Sequence, residues 1–222
     1  MAHPIADRSY IPAAGHHWRL PFYDLMARLV GAQPARRLLV DQLALAPGER
    51  VLDVGTGTGA LAIATKLQYP DAHVVGLDPD PRALAMARRK ANRASTAIQF
   101  DTGFADALPY ADASFDRVMC SLMLHHLSGS EKARALREIR RVLKPGGRFH
   151  MLDFDGPAEN AGLVTRRLHA HPQLRESAED RVLALMTAAG LQHPRVVHRR
   201  AARFTRMSYY LAHVPDRAVV GA

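Results

Sequence analysis

The chain has 222 residues and a formal net charge of +9, and its 48% hydrophobic content is ordinary for a globular protein with one sizeable core. No apolar run approaches the roughly 20 residues that span a bilayer, and the N-terminus lacks the charged-then-apolar pattern of a secretion signal. The lone cysteine, Cys120, excludes an internal disulfide. We therefore expect a single cytoplasmic domain, with Cys120 packed as a small hydrophobe in an apolar strand.

The first 45 residues precede the first predicted strand. They contain an aromatic-rich run at Trp18–Met26, and a helical segment is predicted from Pro34 to Leu45. We expect segments outside the central fold, such as this one, to determine specificity.

Residues 50–59 are the most informative stretch. A short apolar strand that contains Asp53 leads into a turn with glycine at every second position, and a helix begins at Ala60. The three glycines are Gly55, Gly57 and Gly59. Without a Cβ, glycine permits a tight turn and lets the backbone touch a ligand, and the first N–H groups of the helix face that ligand. The stretch predicts a cofactor-binding loop.

The residues around this loop narrow the choice of cofactor. A phosphate-binding P-loop would end in Gly-Lys-Ser/Thr, but Lys66 lies seven residues after Gly59. The glycine spacing, and an acidic residue before it, also differ from the dinucleotide fingerprint. A second strand, His73–Leu77, is followed by Asp78, which is placed to accept hydrogen bonds from both hydroxyls of a ribose. The ligand therefore carries a ribose and a polar tail.

Strand and helix signals alternate along the rest of the chain. Asp80 caps a helix that begins with Pro81, and Ser128 with Glu131 forms a capping box that opens another helix. The later predicted elements are a Lys144–Gly147 turn, a strand at Arg148–Phe154, a helix capped by Ser177 and stopped by Gly190, and strands near Arg195–His198 and Thr205–His213. Such alternation is typical of a mostly parallel sheet covered on both faces.

Four blocks in order make the chain resemble the class I S-adenosylmethionine-dependent methyltransferases, in particular the branch with quinone and sterol C-methyltransferases. They are the 50–59 loop, Gly103–Tyr110 with Ser114–Val118, Ser121–Leu127, and Glu138–Gly147. Together they span roughly residues 46–155. The resemblance implies a single-domain α/β Rossmann-like fold: a seven-stranded, mostly parallel sheet with its last strand antiparallel and helices on both faces. It also implies an N-terminal helical cap over residues 1–45, a core over 46–214 with a short substrate-side insertion at 156–176, and a tail at 215–222.

The same resemblance implies S-adenosylmethionine as the cofactor and S-adenosylhomocysteine as its product. The implied cofactor contacts are Asp53 for the methionine ammonium, Gly55, Thr56, Gly57 and Gly59 in the first loop, Asp78 for the ribose, Pro79 beside the adenine, Phe104, Ala105 and Asp106 in the adenine loop, and Ser121 after the fourth strand. The family usually has Asp or Asn at the position of Phe104, so this chain departs from the pattern. The alternatives are that the Phe104 ring lines the adenine pocket, that the Ala105 N–H reaches a ring nitrogen, and that the Asp106 carboxylate supplies the missing acceptor. The departure also leaves open a lower cofactor affinity or a modified cofactor.

Methyl transfer from a sulfonium needs alignment and exclusion of water more than a dedicated catalytic residue. A base is required only when the acceptor must lose a proton. His125 and Tyr23 are the candidates for a catalytic role, whereas the alternative for His125 and its neighbour His126 is packing on the following helix. The other histidines show no ligand spacing, and no metal site is predicted.

The hypothesis is therefore methyl transfer to a small-molecule acceptor by in-line displacement in a capped pocket at the carboxyl ends of the strands. An RNA methyltransferase is the first alternative, because Arg195, Arg199, Arg200, Arg203 and Arg206 form a basic patch. The usual interpretation of such a run is a solvated strand face. A non-catalytic S-adenosylmethionine-binding protein is the second alternative, and the sequence leaves a homodimer open.

Overall fold

Strands and helices alternate in the computed structural model, which describes residues 32–157, 179–201 and 205–216. The helices are α1 (Ala32–Asp41), α2 (Ala60–Gln68), α3 (Pro81–Arg93), α4 (Gly129–Val142) and α5 (Glu179–Ala188), with a short 3-10 helix at Leu124–His126. The strands are β1 (Arg50–Val54), β2 (His73–Asp78), β3 (Gln99–Thr102), β4 (Phe115–Ser121), β5 (Leu143–Pro157), β6 (Gln192–Ala201) and β7 (Thr205–His213).

The seven strands form one sheet in the order β3-β2-β1-β4-β5-β7-β6. The first five in this order are parallel, and β7 runs antiparallel to both of its neighbours. This confirms the predicted fold class. The strand order reverses between β1 and β4, and in such sheets a crevice for ligands forms there, outside the carboxyl ends of the strands.

Each face of the sheet is buried under helices. Leu52 of β1 belongs to the hydrophobic cluster on the side of α4 and α5, which also contains Ile139 and Met186. Its neighbour Val51 belongs to the cluster on the side of α1, α2 and α3, together with Leu39. Because side chains alternate across a strand, one short apolar strand supplies both clusters.

Two predicted helix starts are confirmed by their capping bonds. The Asp80 carboxylate accepts a hydrogen bond from the Arg82 N–H at 2.9 Å and caps α3. The Glu131 carboxylate accepts from the Ser128 N–H at 2.9 Å, which closes the capping box of α4. These bonds fix the starts of the two helices that follow β2 and β4.

The structure differs from the sequence prediction at the start of β5. The predicted turn at Lys144–Gly147 is already part of the strand, which begins at Leu143 with a bulge in its register to β4. The Lys144 ammonium donates to both oxygens of Asp116, at 2.7 and 2.8 Å. This ion pair joins the bulge to β4, so the chain enters the sheet as soon as α4 ends. Helix α1 also ends earlier than predicted, at Asp41.

Several predictions fall outside the described residues. They concern Tyr23, the aromatic run, the cap of α5 at Ser177, Arg203 and nearly all of the 156–176 insertion. Within the described part of the chain, no helix is long and apolar enough to cross a membrane.

Candidate functional site

A cavity of about 360 Å³ opens at the carboxyl ends of β1, β2, β3 and β4, where the topology predicts a ligand site. Its volume is in the range of small-molecule pockets. The predicted cofactor residues Asp53, Gly55, Thr56, Gly57, Asp78, Pro79, Phe104, Ala105, Asp106 and Ser121 all line it. Gly59 does not line it. The fold thus gathers residues from four loops around one space.

Asp78 ends β2 and connects the first two loops. Its Oδ2 accepts a hydrogen bond from the Gly57 N–H at 2.8 Å, and its Oδ1 accepts from the Asp80 N–H at 2.9 Å. Burial raises its pKa to about 6, although these backbone bonds favour the ionised form. Each oxygen keeps a further lone pair, so a fixed carboxylate at the cavity wall is available to accept two ligand hydroxyls.

Asp53 is buried in β1, with 1% of its surface exposed. Its Oδ2 accepts from the Thr56 hydroxyl at 2.7 Å, whereas its buried Oδ1 has no hydrogen-bond partner within the described residues. Burial raises its pKa to about 7, and this rise is opposed by the Thr56 bond and by the charge of Arg36. A buried, unpartnered carboxylate oxygen on a residue that lines the cavity favours a ligand that brings a cationic donor.

Arg36 of α1 also lines the cavity and was not predicted from the sequence. It is 7% exposed, and its Nε donates to the Ser121 hydroxyl at 3.4 Å. A guanidinium beside the Asp53 carboxylate offers opposite charges to the two ends of an amino-acid zwitterion. One sequence signal points to it: Arg36 interrupts the apolar face of α1 formed by Ala35 and Leu39.

The glycines of the first loop serve different purposes. Gly57 has φ +54°, and a Cβ there would meet no protein atom within 4 Å, so it would project into open space. A Cβ on Gly55 would overlap the side chain of Met123. A Cβ on Gly59 would lie 2.9 Å from the Cβ of Ala87, so Gly59 allows α2 to pack closely on α3. Only Gly57 leaves room that a ligand can fill.

The loop after β3 forms the far wall of the cavity. Phe104 and Ala107 form an isolated antiparallel bridge that shapes the loop, and Phe104 lines the cavity. The Asp106 carboxylate accepts from the Arg134 Nε at 3.0 Å, so it is engaged by α4. This pairing favours the Phe104 side chain and the Ala105 backbone over Asp106 as the groups that contact an adenine.

The segment after β4 places its two histidines differently. Leu122 has φ +56°, which turns the chain sharply at the cavity wall. His126 lines the cavity, and burial together with the charge of His125 lowers its pKa to about 4. His125 is not among the residues that line the cavity. Its Nδ1 lies 2.6 Å from the Asp153 carboxylate, a partner that sequence reasoning missed.

The structure also bears on the metal and charge predictions. Among residues 32–157, 179–201 and 205–216, no group of three or more His, Cys, Asp or Glu side chains is placed to hold a metal ion.

In the basic patch, Arg199 pairs with Glu179 at 2.6 Å, and Arg206 pairs with Asp155 at 2.8 Å. Part of the patch is therefore neutralised within the chain.

The chain is similar to known methyltransferases along most of its length. The sequence profile described as a methyltransferase domain matches residues 51–147. The demethylmenaquinone methyltransferase of Thermus thermophilus is 35% identical over 224 aligned positions, which cover 89% of this chain and 97% of that protein. The demethylmenaquinone methyltransferase of Deinococcus radiodurans is 40% identical over 156 positions, which cover 68% of this chain and 64% of that protein.

The chain belongs to the class I S-adenosylmethionine-dependent methyltransferases, in the quinone-biosynthesis branch. The fold agrees. The phosphoethanolamine N-methyltransferase 2 of Haemonchus contortus, in complex with phosphomonomethylethanolamine and S-adenosylhomocysteine, superposes with a TM-score of 0.68. That match covers 82% of this chain and 53% of the other at 15% identity, so it concerns the fold alone. This methyltransferase transfers the methyl group of S-adenosylmethionine to a small-molecule acceptor.

Proposed function

We propose that this methyltransferase methylates a ring carbon of a demethylmenaquinone-type acceptor in its reduced, hydroquinone form. The observation that carries the proposal is the 35% identity to the Thermus thermophilus demethylmenaquinone methyltransferase, which extends over 89% of this chain. The cavity wall supports it, because the apolar side chains of Leu122, Met123 and Leu127 lie beside the polar cofactor residues. Such a wall suits an aromatic acceptor.

The cofactor fits the cavity in one orientation. The carboxylate of its methionine end pairs with Arg36 and the ammonium with Asp53, whose Oδ1 is buried and unpartnered within the described residues. Asp78 accepts the ribose hydroxyls, while Phe104 and Pro79 enclose the adenine. Gly57 lets the backbone approach the ligand. When bound, the cofactor supplies an electrophilic methyl group on its sulfonium.

The hydroquinone form follows from the chemistry of the acceptor. A quinone ring carbon is electrophilic and does not attack a methyl group. In a hydroquinone, loss of a hydroxyl proton makes the adjacent ring carbon nucleophilic, and that carbon then forms the new C–CH₃ bond. Loss of its ring hydrogen as a proton restores the aromatic ring. This acceptor therefore needs a group that takes a proton from oxygen.

The proposal extends to the segments around the cavity: the N-terminal cap, the insertion, the core and the tail. We propose that residues 1–45 act as a cap; within their described part, α1 brings Arg36 to the cavity. The first two residues of the 156–176 insertion, Gly156 and Pro157, are the last two of β5, so the insertion starts at the edge of the sheet where the cavity opens. We propose that these two segments cover the acceptor, with the 46–214 core holding the cofactor and residues 215–222 forming a tail.

The test is transfer of labelled methyl from S-adenosylmethionine to a short-chain demethylmenaquinol kept reduced under anaerobic conditions, with parallel incubations containing total RNA and the oxidised quinone. We expect label in the quinol and none in the quinone or the RNA. Label only in RNA would favour the RNA-methyltransferase alternative. Cofactor binding without label in any fraction of a lysate would favour the non-catalytic alternative, and either result would overturn the proposal.

A further inference from the structure

A histidine–aspartate pair lies at the carboxyl end of β5, close to the cavity. Asp153 is buried, and three hydrogen bonds end on its carboxylate. The His125 N–H donates to Oδ2 at 3.0 Å, and the Phe154 N–H donates to Oδ1 at 2.8 Å. The His125 ring reaches Oδ1 through Nδ1 at 2.6 Å. Donors from two segments therefore fix the carboxylate and hold the imidazole against it.

This arrangement sets the tautomer of His125. Burial alone would raise the pKa of Asp153, but the charge of His125 and the hydrogen bonds from His125 and Phe154 hold it below its usual value. An ionised carboxylate only accepts hydrogen bonds, so Nδ1 carries a hydrogen whether the ring is charged or neutral, and in the neutral ring Nε2 holds the free lone pair. The His125 side chain is 12% exposed. It is therefore a hydrogen-bonded imidazole that still has access to its surroundings.

The position of the pair matches the part of the site that the proposed cofactor contacts leave free. Those contacts use Arg36 of α1 and the loops at the carboxyl ends of β1, β2 and β3. The positive φ of Leu122 turns the chain after β4, so that the 3-10 helix lies over the end of β5. The rings of His125 and His126 are 4.0 Å apart between centroids, and His126 lines the cavity. His125 therefore lies next to His126, behind the cavity wall and on the side of β5.

The other titratable groups near the pair are weaker candidates for a base. Burial and the charge of His125 lower the pKa of His126, against the opposing effect of Asp153, and the lowered pKa makes His126 a poor proton acceptor. Cys120 of β4 is buried, and its pKa is raised well above the usual value by burial and by Asp153. Burial also raises the pKa of Tyr210 of β7. Among these described groups, only His125 has a carboxylate hydrogen-bonded to its ring.

We propose that His125 is the catalytic base for the acceptor hydroxyl and that Asp153 is its positioning residue. The inference rests on the hydroquinone acceptor proposed above. Nε2 of His125 takes the hydroxyl proton, the electrons of the broken O–H bond flow into the ring, and the ring carbon forms its bond to the methyl group as the carbon–sulfur bond breaks. The ring hydrogen then leaves as a proton to solvent, and the protonated His125 returns its proton to the ring oxygen. The sum is quinol and S-adenosylmethionine giving methylated quinol, S-adenosylhomocysteine and one proton.

A purely structural role, in which the pair holds the 3-10 helix to β5, is the competing explanation. His125→Asn separates the two, because the Asn amide can still donate a hydrogen bond to Asp153 while the basic nitrogen is lost. Asp153→Asn keeps an acceptor for the backbone N–H groups but removes the charge that fixes the tautomer. His73→Asn is the matched control, because His73 is exposed at the start of β2, at the amino ends of the strands and away from the cavity.

The experiment measures kcat and KM for short-chain demethylmenaquinol from pH 5.5 to 9, with the dissociation constant for S-adenosylhomocysteine determined by calorimetry. For His125→Asn we expect kcat/KM to fall by about 10²–10⁴-fold, the usual effect of losing a general base. The cofactor affinity of this variant should stay within about threefold of the wild-type value, which is below 1 kcal/mol. With a ring-halogenated quinol, whose hydroxyl is more acidic, the loss should shrink.

The outcomes separate the two proposals. A wild-type enzyme that fails to methylate the quinol overturns the proposed function, and the base inference falls with it. A wild-type enzyme that methylates the quinol, with His125→Asn as active as His73→Asn, overturns the base inference alone. As a readout that does not depend on turnover, imidazole ¹⁵N spectra should show His125 protonated at Nδ1 in the wild type and a changed tautomer balance in Asp153→Asn. Unchanged spectra would contradict the positioning role of Asp153.

Discussion

At the residue scale, the two buried carboxylates of the cavity act against the stability of the ligand-free protein. The pKa values of Asp53 and Asp78 are raised from 3.8 to about 7 and about 6 by burial. The folded chain therefore holds these protons up to a higher pH than the unfolded chain. Their contribution lowers stability as pH rises from about 4 to 8. The two buried carboxylates therefore destabilise the ligand-free protein, and a bound cofactor that pairs with them offsets this effect.

The first prediction follows from these pKa values. Cofactor binding needs Asp53 and Asp78 ionised, so the affinity for S-adenosylhomocysteine should fall below pH 7 by about tenfold per pH unit once Asp53 is protonated. Below pH 6 the decline should steepen as Asp78 is protonated too. Calorimetry in buffers of different ionisation enthalpy should detect proton release on binding near pH 6. A constant affinity between pH 5.5 and 8 would contradict the assignment of both carboxylates.

The second prediction concerns the space above Gly57. Gly57 and Gly48 both have positive φ, +54° and +79°, and a Cβ on either meets no protein atom within 4 Å. Gly57→Ala and Gly48→Ala should therefore cost similar stability, about 1–2 kcal/mol from backbone strain. Only Gly57→Ala places a methyl group in the cavity, so it alone should weaken cofactor binding, by at least about tenfold or 1.4 kcal/mol.

Urea unfolding and calorimetry of these two variants give the comparison, with Gly48→Ala, in the exposed loop before β1, as the control. Equal losses of cofactor affinity in both would mean that backbone strain, rather than contact with the ligand, explains the effect.

Residues that act within a local motif were predictable, and residues brought in from distant segments were not. Asp53 lies near the end of β1, the loop glycines follow β1, and Asp78 ends β2. Their place at the carboxyl ends of the strands therefore follows from the parallel topology. Asp153 carries no local signal of function, and the only signal at Arg36 is a charge that interrupts an apolar helix face. Their partners, His125 and Ser121, lie 28 and 85 positions away in the chain. Such pairings depend on how an element packs, which the sequence pattern leaves open.

At the element scale, the bounds of a strand were predicted correctly where its run of apolar residues begins and ends abruptly. The bounds of β7 agree with the prediction, whereas β5 begins five residues earlier than predicted. Proline and glycine in Lys144–Gly147 are typical of a turn. In the fold, the pairing of Lys144 with Asp116 makes them a bulge within the strand. Tertiary pairing decided the boundary, which local propensity cannot anticipate.

Helix α1 gives the third prediction, because it carries Arg36 and is held to β7 and to the end of α2 by hydrogen bonds to its backbone carbonyls. The buried Tyr209 hydroxyl donates to the Ala35 carbonyl at 3.0 Å, and the partly buried Tyr69 hydroxyl donates to the Val40 carbonyl at 3.4 Å. Tyr209→Phe should lower the free energy of unfolding by about 1 kcal/mol. The cofactor affinity of this variant should also fall, because the helix that positions Arg36 is held less firmly.

Tyr69→Phe is the matched control, as it removes the same hydroxyl from a longer and less buried bond to the same helix. Its loss of stability in urea should be clearly smaller, with cofactor affinity unchanged. If the two variants were equally stable, the Tyr209 hydrogen bond would not be what positions α1.

At the scale of the whole molecule, the cavity joins parts of both hydrophobic clusters. Its wall includes Leu61 of the cluster beside α1, α2 and α3, and Leu77 of the cluster beside α4 and α5. A ligand that contacts both should therefore stabilise the folded chain as one unit. Strands β1, β2, β4, β5 and β7 each contribute side chains to both clusters, which makes the same argument from topology.

The last prediction tests this coupling. S-adenosylhomocysteine at 100 times its dissociation constant should raise the free energy of unfolding by about 2.7 kcal/mol. Far-ultraviolet circular dichroism, which reports the helices, and near-ultraviolet signals from tertiary packing should shift to higher urea by the same amount. Asp78→Asn should keep the single transition but lose most of the shift at the same ligand concentration, because it removes the carboxylate that accepts the ribose hydroxyls. A ligand-induced shift confined to one of the two signals would mean that the two sides of the sheet unfold separately, and the cavity would then stabilise only one of them.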